Sequence, residues 1–377
     1  MRKEKVLESM EVGSLSKAPF ISKNKEKAVR LAEEWGRRLD VENWEKLVKD
    51  LKENKVNEEQ LTDWACIYAL RFFENAGLDI IYDGEQRRKE MYEYPVYFID
   101  GFEFKGVVKV WDYEYYRKAA VVSKPRLKKP YHVEEFLFAK KHAKKPLKIP
   151  ITGAYTLADW SFDEHYIKKR EDTYGENPRQ AMRDSKLEFA IDLAKEVIRP
   201  NVKALAEAGA THIQIDEPAA AAKPDEADIF VESFNESIKG INCEVTVHIC
   251  YTNYAWLFPH LLEIKADNLS ISCSNADTKE LGIDDKSRRG FKILQVFQQH
   301  NVPFRIAPGV IDVHTEYIEP PELVRDRLLY AVRIMGNDPY RIITCNDCGL
   351  RTRSWEVAYQ KEVNMVRGAE LARRVLT

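Results

Sequence analysis

The run VTVHICYTNY, residues 245 to 254, places His248 and Cys250 two positions apart in a stretch of alternating β-formers. Residues i and i+2 of a strand point to the same side, so an imidazole and a thiolate at that spacing can close two corners of a zinc tetrahedron. A hydrogen-bonded core histidine beside a buried thiol has the same spacing. A third donor at a neighbouring strand end strengthens the metal reading, and CNDCGL supplies Cys348. Two thiolates and one imidazole leave a fourth position for a substrate, as catalytic zinc sites require. Cys345 and Cys348 also form a C-x-x-C, but a redox dithiol normally sits at a helix N-terminus, and this pair ends a strand-like run.

Other polar residues collect at the ends of β-like runs. Asp216 and Glu217 follow THIQI and precede a proline, where they either face a site or cap the next helix. Glu85 follows YDG and is placed either for a site or to pair with Arg87 or Arg88. Asp312 and His314 are two apart, so the carboxylate can fix the histidine tautomer for acid–base work; the alternative is a solvent-facing loop histidine.

The elements that must position these residues follow from periodicity. Residues 23–77 carry apolar positions at helical spacing. Eight short β-like runs are expected at 10–15, 78–84, 147–155, 211–218, 244–251, 268–275, 303–312 and 341–349, most of them preceded by a helical pattern. Helix and strand alternating to eight is the arithmetic of a (β/α)8 TIM barrel, an α/β fold whose chemistry gathers at the C-terminal strand ends. The expected architecture is one TIM-barrel domain over 1–377, with an N-terminal helical extension and a β-hairpin excursion over 94–122. A doubly wound sheet is the runner-up, but no G-x-G-x-x-G is present.

Composition narrows the function classes. A formal net charge of −2 gives no electrostatic argument for nucleic acid, and the basic clusters at 124–129 and 140–145 read as solvated faces. No apolar stretch reaches the length of a membrane span, and the N-terminus lacks the apolar core of a signal peptide, so a cytoplasmic protein without membrane partners is expected. Six scattered cysteines suit free thiols better than a disulfide framework.

The blocks EVGSL, AGLDIIYDGEQRRKEMYEY, ITGAYTLADWSF, AGATHIQIDEPA, HICYTNY, APGVIDVH and CNDCGLRTR occur in the order found in one family. On them the chain resembles the catalytic C-terminal barrel of the cobalamin-independent methionine synthases. The resemblance implies a zinc-dependent TIM-barrel methyltransferase that methylates the sulfur of homocysteine, with Zn2+ held by His248, Cys250 and Cys348. It further implies that Ser14 holds the amino acid's carboxylate and that Glu85 and Asp216 grip its ammonium group. His314, oriented by Asp312, would protonate the leaving group, and Trp160 would stack on a pterin.

The chain also departs from the family. Where the family has a glutamate zinc ligand, NLSISCSN offers Ser272 and then Cys273. Cys273 is the favoured replacement; Cys345, or water with substrate, are the alternatives, and a period of two would turn Cys273 away from the face of Ser272. No duplicate N-terminal barrel is present in this sequence, which resembles the short, mainly archaeal members. The methyl donor implied is a methylpterin or methylfolate, or a methylcorrinoid that a carrier protein would present. A related reading is a thiol alkyltransferase such as an epoxyalkane:coenzyme M transferase, but a sulfonate substrate would want arginines where Glu85 and Asp216 stand. A zinc-binding barrel without turnover is the third reading, and it leaves Asp312 and His314 without a purpose.

Overall fold

The computed structural model describes residues 5–111 and 114–376. Its strands in chain order are β1 (Ile99–Trp111), β2 (Glu114–Leu127), β3 (Ile149–Thr152), β4 (Phe162–Asp163), β5 (His212–Asp216), β6 (Glu244–Ile249), β7 (Asn268–Ile271) and β8 (Arg305–Pro308). One sheet has the order β3-β5-β6-β7-β8, and a second the order β1-β2-β4. β5 and β6 are rich in β-branched residues and almost wholly buried, the pattern of a sheet covered on both faces. They pair in parallel, from His212 opposite Glu244 to Asp216 opposite His248.

Five of the eight expected strands therefore lie in one sheet of an α/β fold. The other three, at 10–15, 78–84 and 341–349, form isolated parallel bridges instead of ladders, and the assigned sheets are not closed. Ser9 bridges to Thr344 on one side and Met10 to Ile80 on the other, as in a strand with a neighbour on each side, but neither bridge extends into a ladder. Leu7 and Glu85, with φ of 48° and 55°, also bend the chain beside these runs.

By internal packing the chain divides into two compact units. The first comprises the residues up to Arg87, Leu137–Ile149 and Ser270 onward. It contains the expected helical extension as Lys25–Arg38, Trp44–Lys52 and Glu58–Ala76. The third of these starts at a reciprocal capping box between Asn57 and Gln60 and stops at Gly77, whose φ of 96° suits glycine. Trp35 and Phe72 pack edge-on against Trp355 with ring centroids 5.2 and 5.1 Å away. Trp355 opens the C-terminal helix Trp355–Leu376, in which Gly368 permits close approach to Val324 of the helix Pro321–Ile334. Met10, Ile80, Ala307, Ile343 and Cys345 form a fully buried apolar cluster.

The second unit comprises Arg88–Phe136 and Pro150–Leu269. The expected hairpin is present as antiparallel β1 and β2, with Ile99 opposite Leu127. It begins later than expected, because Glu93–Val96 is a helical turn containing Pro95, which cannot donate to a ladder. At the root of the hairpin, the Glu135 carboxylate accepts from Arg88 Nε at 3.0 Å, His132 Nδ1 at 3.1 Å and the Tyr94 hydroxyl at 2.6 Å. Burial and the neighbouring Arg88 push the His132 pKa down to about 4.

This network has a pH consequence. The unfolded chain takes up a proton at His132 near its ordinary value, whereas the folded chain resists until about pH 4. Stability is therefore lost as pH falls from about 6.5 towards 4, by roughly 3 kcal/mol at most. His132→Asn, which tolerates the left-handed φ of 67° at that position, is expected to flatten this fall in urea denaturation at pH 7 and pH 5. An unchanged pH slope in the variant would remove His132 as its source. Among the described residues, no helix is long and apolar enough to cross a membrane.

Candidate active site

His248 lies near the end of β6 and is buried, and half-buried Cys250 follows the strand directly. The strand stops because Tyr251 adopts a φ of 56°. Behind that turn the Tyr254 hydroxyl donates to the Ile249 carbonyl at 2.9 Å, and Thr252 Oγ1 donates to the Ala221 carbonyl at 2.7 Å. The H-x-C pair thus leaves the sheet from an anchored strand end.

Cys348 follows a residue that is held still. Asp347 is fully buried, and its carboxylate accepts from the backbone N–H groups of Cys273, Ser274 and Asn275 at 2.8, 2.9 and 2.7 Å. Its own N–H donates to the Ile311 carbonyl at 3.0 Å. Burial pushes the Asp347 pKa up to about 8, against three N–H bonds that favour the ionised form. Gly309 passes so close that a Cβ there would meet Asp347 Oδ1 at 2.1 Å.

His248, Cys250 and Cys348 each offer one ligand atom, and these atoms lie within 4.8 Å of one another, a group able to hold a metal ion. One imidazole nitrogen and two sulfurs make a donor set that suits zinc. Cys273, expected as the fourth ligand, is not a member of this group. The Ser272 hydroxyl turns to the Asp347 carbonyl at 2.8 Å, and Cys273 is fully buried, its thiol kept protonated by burial and by the nearby Asp347. Cys345 is a core group as well, donating to the Ala307 carbonyl at 3.2 Å, with its pKa pushed by burial up to about 12.

Ser14 and Glu85 sit on two loops tied together within the first unit. Leu15 N–H donates to the Gly84 carbonyl at 3.0 Å, and the Gln86 side chain accepts from Ala18 N–H at 2.9 Å while donating to the Ser16 carbonyl at 3.1 Å. Lys17 Nζ donates to the backbone carbonyls of Glu85 and Gln86. Glu85 itself is in the left-handed region, with its N–H on Asp83 Oδ1 at 2.9 Å; strain of this kind is common at ligand-gripping positions. Gly349 lies against Ser14, where a Cβ would come within 2.2 Å of Ser14 Oγ.

The two carboxylates after β5 take different parts. Asp216 is half-buried, accepts from Gln214 Nε2 at 2.7 Å and stands beside His248 in the β5–β6 register. Glu217 is fully buried and accepts from Tyr155 N–H, Thr156 N–H and Thr156 Oγ1 at 3.2, 2.7 and 2.6 Å. It closes the start of the short helix Ala154–Asp159 and makes no side-chain cap to Pro218–Ala221, the turn that follows it. Trp160 ends that same helix, with Tyr116 stacked at 6.1 Å and Tyr92 at 6.4 Å between ring centroids. His314 is exposed, and Asp312 Oδ1 accepts from its backbone N–H at 2.9 Å. That bond shapes the turn that carries the imidazole.

Residues 35–371 match the family model described as the cobalamin-independent synthase catalytic domain. The chain belongs to that family. A methionine synthase of Thermoplasma volcanium is 40% identical over 315 residues, covering 81% of this chain and 88% of the relative. One of Sulfurisphaera tokodaii is 39% identical over 329 residues, covering 86% and 87%. A B12-independent methionine synthase from Shewanella, solved in complex with selenomethionine, aligns over 99% of both chains with a TM-score of 0.74 and 25% identity. As a member of the family, the protein is a methyltransferase.

Sequence reasoning missed Asp347 as the brace before Cys348, and the rings of Tyr92 and Tyr116 on Trp160. Asp347 had a signal in its place between two candidate residues of CNDCGL. The tyrosines had none, because Tyr92 before the hairpin and Tyr116 on β2 reach Trp160 only through tertiary packing.

Proposed function

We propose that this enzyme carries out zinc-dependent transfer of a methyl group to the sulfur of homocysteine, forming methionine. The observation that carries the reading is the close set of His248, Cys250 and Cys348 in a chain of this family. Zinc bound there supplies the positive charge that lets a substrate thiol react as a thiolate near neutral pH. The fourth position then belongs to the substrate, with Ser272 and Cys273 outside the ligand set. The sheet and the parallel bridges Ser9–Thr344, Met10–Ile80 and Ile81–Leu147 support a single closed (β/α)8 barrel as the scaffold.

The chain's own residues bind and orient. Glu85 and Asp216 pair with the ammonium group of homocysteine, and the turn at Ser14 receives its carboxylate on backbone N–H groups. The aromatic face of Trp160, backed by Tyr116, takes a planar methyl donor, either a methylpterin such as methylfolate or a methylcorrinoid carried by a partner protein. His314, on the turn shaped by Asp312, gives a proton to the donor's leaving group. The thiol proton lost by homocysteine and the proton gained by the leaving group balance.

On this reading, zinc-loaded protein releases about one proton for each homocysteine bound near neutral pH, because a thiol ionises on binding. Calorimetry in buffers of different ionisation enthalpy measures this number. Homocysteine binding without proton release, or no binding to fully metallated protein, would sink the proposal.

A further inference from the structure

Three polar side chains with no part in methyl transfer meet inside the first unit. The bridges Ser9–Thr344 and Leu15–Leu350 have the same offset, by which Glu11 corresponds to Asn346, and the Glu362 carboxylate acts on the Glu11 carboxyl. Asn346 Nδ2 donates to Glu362 Oε1 at 2.6 Å, so the Glu362 carboxylate on the C-terminal helix faces the same place. All three residues are 1% exposed or less. Four oxygens among them have no hydrogen-bond partner: both carboxylate oxygens of Glu11, Oε2 of Glu362 and Oδ1 of Asn346.

Lys148 is also fully buried and acts on both carboxylates, but its ammonium group donates to the Glu11 backbone carbonyl. Lys361 also acts on Glu362 but is itself paired with Glu319 at 2.9 Å, so with both carboxyls ionised Lys148 balances only one of the two charges, and Asp83 and Glu85 add to the negative field at Glu11. Buried acceptors without donors are costly, and buried charge without a partner more so. Oxygens with no N–H aimed at them are the donor set of a hard cation.

We propose that Glu11, Asn346 and Glu362 form a binding site for a monovalent alkali cation, sodium or potassium. One positive charge balances the cluster, whereas a divalent ion would leave an excess. Glu11 stands three residues before Ser14 and Asn346 two before Cys348, so the ion ties together the two segments that deliver those residues. The competing arrangement is a proton shared by the two carboxyls, which makes stability depend on pH and not on the salt.

The test is thermal unfolding of the purified full chain at pH 8 in potassium, sodium or tetramethylammonium chloride at equal ionic strength. The expected result is a saturable rise in Tm of about 3 °C in one alkali salt over tetramethylammonium. Glu11→Gln and Glu362→Gln should each remove that difference, and if one fails to fold the other carries the comparison. Thallium(I) NMR of the unaltered protein provides a second readout, a bound resonance displaced by potassium or sodium. Equal melting in all three salts, a difference that persists in the variants, or no bound thallium signal overturns the proposal.

Discussion

Cys250→Ser is expected to reduce bound zinc from about one per chain to below roughly 0.1, because a serine hydroxyl does not ionise to the ligand that a thiolate provides. Methyl transfer should fall by more than the roughly 100-fold typical of losing an outer-sphere partner, since a ligand itself is removed. Cys348→Ser should behave alike, its sulfur being the third member of the same close group. Cys273→Ala serves as the control and should retain its zinc, because that thiol is sealed in the core beside Asp347. Metal per chain by mass spectrometry, on protein whose circular dichroism is unchanged, decides the matter. Undiminished zinc in Cys250→Ser would falsify the ligand assignment.

Asp347→Ala should produce the largest loss of stability of any change near the site. Its carboxylate accepts three backbone N–H groups from the turn 273–275, and those of Cys273 and Ser274 would be left buried without an acceptor, while that of exposed Asn275 can turn to water. Such groups cost about 1–3 kcal/mol each, so a loss of roughly 3 kcal/mol or more is expected after partial relaxation. The cavity beside Gly309 adds to that cost, since the glycine is packed against this side chain. Zinc affinity should fall as well, because Cys348 is the next residue. Asp347→Asn keeps the shape but turns an N–H2 group towards one of the donors, so it should recover only part of the stability. Urea denaturation measures the first effect and competition with a chelator the second. Unchanged affinity in a destabilised Asp347→Ala would restrict the residue to a structural role.

Much of the fold was legible because its signals are local. The helical spacing over 23–77 and the β-branched runs of β5 and β6 act within a few residues of themselves, where covalent geometry limits the choices. The hairpin was visible in outline, but its start was misplaced, since the proline effect at 95 competes with a β-rich composition. The runs at 10–15, 78–84 and 341–349 read as full strands by composition. Pairing depends on neighbours as well, and there the contacts stop at single parallel bridges.

The candidate site divides along the same line. By itself the sequence determined that His248 and Cys250 leave a strand on one side, since a period of two is a property of the extended backbone. It also determined which residue types stand at the strand ends. Only the tertiary structure decided that Cys273 and Cys345 stand outside the group of His248, Cys250 and Cys348, and that Glu217 caps a helix while Asp216 stands beside His248. Those choices depend on packing between positions tens to a hundred residues apart. There the burial of Cys273 and Cys345 and the N–H groups gathered by Asp347 and Glu217 outweigh anything a local spacing expresses.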